Sequence, residues 1–197
     1  MESACSSCAL PECICADIDA LPCSIEILVV RHFVERHKIS GSARLVPLAV
    51  SGASVLDVGG PTEPPRTELE GAWVEQRSHL DPVSDASGTY LLFPGGRPIE
   101  SVSPPVSRLV VPDGTWAQTR RMRMRIPMLA QLPTVSVSAE APPTRTLRAA
   151  RQSGELPTAV AIARALRETG NSGAADALLV LYERMAEILT KPSRGPR

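Results

Sequence analysis

The chain reads as an α/β fold: a mostly parallel sheet flanked by helices, with a small cysteine-rich knuckle ahead of it. Three observations predict this. Ile25 to Val30, Tyr90 to Phe93 and Leu109 to Val111 are short apolar runs with the continuous character of strands buried on both faces. The second and third end in polar loops that open with Pro and Gly or Asp and Gly. Between and after them lie segments with helical patterning, and that alternation is the signature of a parallel sheet.

At 197 residues the chain is long enough for one domain with a real core and too short for two substantial ones. Residues 1–24 are expected to form the knuckle, 25–190 the α/β domain and 191–197 a flexible tail. After the strand Ile25–Val30, the stretch Arg31 to Ser40 is polar and carries two His. Ser42 to Val50 suits a short helix, weakened by Pro47, and Val55 to Asp57 a further strand. Gly59 to Arg66 holds three prolines and two glycines and reads as a surface connection. The strand Leu109–Val111 is expected to stop at Pro112. Thr115 to Met124 is predicted helical and Thr134 to Val137 a strand. Two helices close the chain, from Thr158 to about Glu168 and from about Ala174 to Leu189, with a Gly-Asn-Ser-Gly break between them. In the second, Leu178, Leu181, Met185 and Ile188 recur at helical spacing and mark a core-facing stripe.

Lys and Arg number 21, as do Asp and Glu, so no global charge marks a nucleic-acid binder and any RNA contact must come from a local basic patch. Aromatic residues make up 3%, with Trp73 and Trp116 the only indoles, which argues against a surface built on several stacking platforms. No N-terminal segment pairs basic residues with an apolar stretch, and no apolar run approaches the length of a membrane span. A cytoplasmic protein is expected. Four of the five cysteines fall within the first fifteen residues, which suits a reducing compartment where thiolates bind metal. Cys5, Cys8, Cys13 and Cys15 supply the four soft ligands of a closed structural zinc site. Cys23 reads as a small apolar residue at a strand entrance.

The most informative stretch is Leu109 to Trp116, a strand that delivers a carboxylate, a hydroxyl and an indole to the carboxyl edge of a sheet. Open α/β sheets bind their ligands at that edge. A turn Asp followed by a core Trp is the plainer alternative. His32, Glu35 and His37 lack the i, i+4 spacing that places two imidazoles on one helix face, so they suit a loop or binding role better than a metal site. The glycines of Pro94-Gly95-Gly96-Arg97 would allow close approach to a ligand. Arg120, Arg121, Arg123 and Arg125, with Met122 and Met124 between them, spread over more than one helix face. Some can reach RNA phosphate while others stay solvated, and Arg145, Arg148 and Arg151 extend the same patch.

Asp113-Gly114-Thr115-Trp116 resembles the motif that names the DTW-domain family of tRNA-uridine aminocarboxypropyltransferases. Several further segments agree with that family in order: Cys5-x-x-Cys8 with Cys13-x-Cys15, Leu92-Phe93-Pro94 closing a strand, Arg120 to Arg125, and Leu147-Arg148 upstream of Pro157-Thr158. The resemblance spans nearly the whole chain. It implies a SPOUT-like core whose C-terminal sheet is threaded into a trefoil knot that forms an S-adenosylmethionine pocket. It also implies transfer of the 3-amino-3-carboxypropyl arm of S-adenosylmethionine to N3 of a tRNA uridine, with release of methylthioadenosine.

By this resemblance Leu92, Phe93, Pro94, Asp113, Gly114, Thr115 and Thr158 contact the donor, and Asp113, Thr115 and Trp116 carry the chemistry. Arg120, Arg121, Arg123, Arg125 and Arg148 contact RNA, and the four cysteines hold zinc. Asp113 is the preferred general base; orienting the uracil or holding the substrate amine are its other roles, and an unperturbed Asp, with a pKa of about 3.9, is a weak base unless burial raises it. Thr115 suits a hydrogen bond to the uracil or the donor carboxylate, and Trp116 a face for the base or a packing wall. Arg148 is the cation assigned to the carboxylate of the arm.

Two departures stand out. A polar stretch that often reads Ser-Asn-Thr in the family is Ser40-Gly41-Ser42 here, so Ser42 either replaces the Thr hydroxyl or caps a helix. The family's common Thr-x-Glu is Thr158-Ala159-Val160, and helix capping is the structural alternative for Thr158. Three rivals therefore remain: transfer to another RNA, methyl transfer, and an RNA-binding paralogue without catalysis. Monomer and homodimer are equally open.

Overall fold

The structure is a computed structural model that describes residues 4–16, 19–59, 87–138 and 156–191. The Gly59–Arg66 connection beyond residue 59, Trp73, Arg145, Arg148, Arg151 and the tail beyond 191 lie outside the described residues. So do residues 139–155, and the described residues do not show the expected trefoil knot.

Five strands form one sheet in the order β2-β1-β4-β3-β5, and every pairing among them is parallel. They are β1 (Glu26–His32), β2 (Ser54–Val58), β3 (Thr89–Pro98), β4 (Arg108–Asp113) and β5 (Thr134–Ser136). The helices are α1 (Val46–Ala49), α2 (Trp116–Arg125), α3 (Pro127–Gln131), α4 (Thr158–Glu168) and α5 (Ser172–Thr190). Short 3-10 turns span Phe33–His37 and Ser42–Leu45. Pro47 sits in the first turn of α1, where its missing N–H has no helical partner to lose. No helix among the described residues is long and apolar enough to cross a membrane.

Alternate strand residues feed two cores. Ile27, Val29, Leu109, Val111, Tyr90, Leu92 and Val135 pack with α1, α4 and α5, joined by Cys8, Leu10 and Ile14 of the N-terminal segment. Leu28, Val30, Leu91, Phe93 and Val110 pack on the other face with Met122 of α2 and Leu129 of α3. The result is a helix layer on each side of the sheet, as continuous apolar strands require. The expected stripe is found on α5, where Leu178, Leu181 and Met185 are buried and Ile188 packs at the margin.

Two strand boundaries differ from the sequence expectation. Pro112 does not end β4: it stands opposite Val30, and Asp113 stands opposite Arg31. The reason lies with β3, which pairs with β4 only as far as Leu91 opposite Val110. Beyond that point β4 has one neighbour, and a residue without an N–H is tolerated where a strand is an edge. Likewise β3 does not end at Pro94-Gly95-Gly96. It bulges there and resumes with Arg97 opposite Val135 and Pro98 opposite Ser136.

Gly96 makes its close approach to β5: a Cβ there would fall 2.6 Å from the Val135 carbonyl carbon and 2.7 Å from that of Thr134. Gly96→Ala must push β5 away. It is expected to cost about 1–3 kcal/mol in unfolding free energy, read from denaturant titration against the unmodified chain.

Candidate functional site

The alternation that builds the two cores also fixes the polar residues at the carboxyl edge. Asp57, Arg31 and Asp113 lie two positions beyond Val55, Val29 and Val111, so all three emerge on the face covered by α4 and α5. The register sets them in a row, with Arg31 opposite Asp57 on one side and Asp113 on the other. Arg31 grips Asp57 in a fork, Nε to Oδ1 at 2.6 Å and Nη2 to Oδ2 at 3.0 Å. Asp113 is 7% exposed and accepts at Oδ1, at 2.5 Å, from the hydroxyl of Thr158, the first residue of α4.

That helix has no cap of its own, because Pro157 at its N-cap offers no side-chain acceptor. Ser42 takes over. Its buried hydroxyl accepts from the Ala159 N–H at 3.2 Å, so the Ser-Gly-Ser stretch caps a helix far away in sequence and not the turn it opens. Arg44, two residues on, donates to the carbonyl oxygens of Gly41 (3.1 Å), Arg36 (3.2 Å), Lys38 (2.5 Å) and Cys8 (3.5 Å). Burial pushes the Arg44 pKa below its ordinary value, as does the neighbouring charge of Arg31, while Cys8 and Asp113 oppose the shift.

On the other face, Trp116 stacks on Phe93 with ring centroids 5.3 Å apart, and the Arg123 guanidinium lies 5.0 Å from the Phe93 centroid. Leu92 and Phe93 therefore look into opposite cores. Thr115 is exposed and forms a capping box: its hydroxyl accepts from the Gln118 N–H at 3.4 Å, and Gln118 Oε1 accepts from the Thr115 N–H at 2.6 Å. Gly114 permits this packing, since a Cβ would meet Gln118 at 3.1 Å and His32 at 3.5 Å. His32 Nδ1 accepts from the Val34 N–H and lies 3.3 Å from Gln118 Nε2, which joins the end of β1 to the first turn of α2. Pro94 is exposed at the bulge. Glu35 is buried and pairs with Lys38, in keeping with a loop role for that segment.

Of the α2 arginines, Arg120, Arg121 and Arg125 are exposed, with Met124 beside them 79% exposed. Arg123 is half-buried and also donates to Thr134 Oγ1 at 3.3 Å.

At the other end of the site, the Sγ atoms of Cys5, Cys8, Cys13 and Cys15 all lie within 4.8 Å of one another, with Cys5 3.7 Å from Cys15 and 3.5 Å from Cys13. Metal–sulfur bonds of about 2.3 Å in a tetrahedron require sulfur–sulfur separations of about 3.8 Å, so the set fits a zinc ion. It is the one such cluster among the described residues. Ala9 closes the turn after Cys8 at φ 57°, with its N–H on the Cys5 carbonyl at 2.8 Å. Backbone N–H groups of Cys8 and Ser7 hold the Cys5 thiol down at about 6, while burial pushes Cys15 up to about 12. A divalent cation lets all four be thiolates. Cys23 packs against the core, as a small apolar residue would.

The DTW domain family matches this chain over residues 2–190. The chain belongs to that family. Membership is consistent with a tRNA-modifying enzyme, and no solved structure matches the chain. The family motif Asp113-Gly114-Thr115-Trp116 spans the end of β4, the loop and the start of α2, while Thr158 brings α4 to its carboxylate. Where DTW members commonly carry Glu two residues after this Thr, Val160 is 3% exposed in the core. Arg148, assigned to the donor carboxylate and to RNA, lies outside the described residues. Arg31, Asp57, Arg44 and Gln118 were missed by sequence reasoning. Arg31 and Asp57 carry a readable signal: each is a charged residue at the end of an apolar strand, in phase with that strand's core positions.

Metal-free protein titrated with Co²⁺ is expected to take up a single ion and develop the intense visible bands of a tetrahedral thiolate site. The bands should fade as the pH falls, because the ligands must be deprotonated. Cys13→Ser should weaken binding, and the pale spectrum of a hexa-aqua ion would exclude the site.

Proposed function

We propose that the chain is an S-adenosylmethionine-dependent aminocarboxypropyltransferase acting on N3 of a tRNA uridine, built on a SPOUT-like core. The observation that carries this reading is the Asp113–Thr158 hydrogen bond: it joins the family's defining motif to the start of α4 at the carboxyl edge, where α/β sheets bind ligands.

In the reaction, uridine N3 attacks the arm carbon bonded to the sulfonium. The carbon–sulfur bond breaks and its electron pair leaves with methylthioadenosine. The N3 proton passes to Asp113, whose carboxylate Thr158 holds in one orientation. All three carbons on a sulfonium are electrophilic, so the product depends on which one is presented in line with the nucleophile. Arg31, beside Asp113 in the register and anchored by Asp57, supplies positive charge suited to the arm's carboxylate. Trp116, stacked on Phe93, offers an indole face near the loop for the uracil. The exposed Arg120, Arg121 and Arg125 suit tRNA phosphates, and zinc in the four-cysteine knuckle plays a structural part.

Unmodified tRNA incubated with the protein and S-adenosylmethionine should yield a nucleoside heavier than uridine by the aminocarboxypropyl mass, with methylthioadenosine released. Asp113→Asn should lower the rate by about 10²–10⁴-fold, the usual worth of a positioned base, and Thr158→Val by less. A methyl-sized gain would make the protein a methyltransferase. Absence of any product on tRNA, with the donor bound, would overturn the reading in favour of another RNA or a silent binder.

A further inference from the structure

The metal knuckle and the Asp113 site are separate in sequence, yet one side chain touches the segments that connect them. Arg44 places its guanidinium among four carbonyl oxygens. Three belong to the loop leaving β1, at Arg36, Lys38 and Gly41, and the fourth is that of Cys8, itself one of the four cysteines. Ser42, next to Gly41, caps α4 through the Ala159 N–H, and the residue before Ala159 is Thr158, which holds Asp113.

The contacts form a continuous series from Cys8 through Arg44 to the loop, then through Ser42 to the start of α4, and finally to the Asp113 carboxylate. We infer that Arg44 is a positioning residue through which the metal-loaded knuckle fixes the loop 36–42 and, by way of Ser42 and Thr158, orients Asp113. The inference rests on the reading of Asp113 as the reacting carboxylate.

The chemistry of the side chain supports it. A guanidinium carries five N–H donors in a rigid plane and can serve carbonyls from several segments at once. An ammonium on a flexible stem has three donors and no such plane. Cys8 is fully buried in the same core as Ala43 and Leu45, which flank Arg44, so the knuckle and the loop meet over packed side chains as well as through the guanidinium. A carbonyl next to a metal-bound cysteine is held where the metal holds the cysteine. On this inference, release of the metal loosens the Cys8 carbonyl, one of the four points that locate Arg44.

The test is hydrogen exchange on the full chain, zinc-loaded and chelator-stripped, for the unmodified protein and for Arg44→Lys, alongside calorimetric binding of S-adenosylmethionine. Stripping zinc from the unmodified protein should speed exchange in residues 36–42 and at Ala159 by about tenfold, the scale of one hydrogen bond lost, and weaken donor binding. Amides of Ile27–Val30 and Leu109–Val111 should stay protected. Arg44→Lys should show the same two changes with zinc still bound, and stripping zinc from it should add little. That non-additivity is the readout a merely structural arginine would not produce.

Two results would overturn the inference: protection of 36–42 and Ala159 unchanged when zinc is removed, or effects of chelation and substitution that simply add. Should Arg44→Lys fail to fold, Ser42→Ala, which removes the link to Ala159 and leaves the four cysteines intact, supplies the comparison: chelation should still speed exchange in residues 36–42 but no longer change it at Ala159. If the zinc-loaded unmodified protein binds no S-adenosylmethionine, the functional reading fails, while the exchange data still decide whether the knuckle governs the loop.

Discussion

Two strands part company in the middle of the sheet. β3 keeps its pairing with β4 only up to Leu91 opposite Val110, while it stays paired with β5 on both sides of a bulge through Pro94, Gly95 and Gly96. β4 runs on alone beside β1 for three more residues and ends on Asp113. Beyond this divergence the motif loop follows Asp113 at the carboxyl edge, with the Phe93–Trp116 stack on one face of the sheet and the start of α4 on the other. An α/β sheet commonly opens its binding crevice where neighbouring strands diverge, and here the separation also explains how a proline survives inside a strand that is central for most of its length.

Much of the fold could be read from residues alone because the signals were of the kind that tertiary context seldom overrides. Continuous apolar runs named β1, β3 and β4, and periodic leucines named α5. What could not be read were the features that depend on a neighbour. Pro112 looks like a terminator unless one knows that β3 has left its side. Pro94-Gly95-Gly96 looks like the end of a strand unless β5 is there to receive Gly96. In both cases a local breaker residue was accommodated by what stood, or did not stand, beside it.

The site divides in the same way. Asp113, Thr115, Trp116 and the four cysteines stood out through motif spacing, and the structure gives each a definite place: Asp113 held by Thr158, Thr115 in a capping box, Trp116 on Phe93, the thiols in one cluster. Arg44 and Ser42 act on backbone groups, and a side chain that bonds carbonyls or caps a distant helix leaves no pattern in its own neighbourhood. Ser42 shows this most clearly. Its partner is Ala159, and nothing at either position announces the other. Arg123, by contrast, sits among exposed arginines in the sequence but is committed to Phe93 and Thr134 in the fold.

The row Asp57, Arg31, Asp113 owes its common face to parity: each charge stands an even number of residues beyond a valine directed into the same core. Side chains along a strand alternate with a period of two, so this arrangement is indifferent to which apolar residues precede the charges and acutely dependent on how many there are. Substituting Val29, Val55 or Val111 with another β-branched residue leaves the row intact. Deleting a single residue from one of these strands, with its register held at the start, would turn that strand's charge toward the opposite helix layer and break the row. A change in the identity of these positions is therefore far easier for the protein to absorb than any change in their number, and what the edge of the sheet depends on is a count.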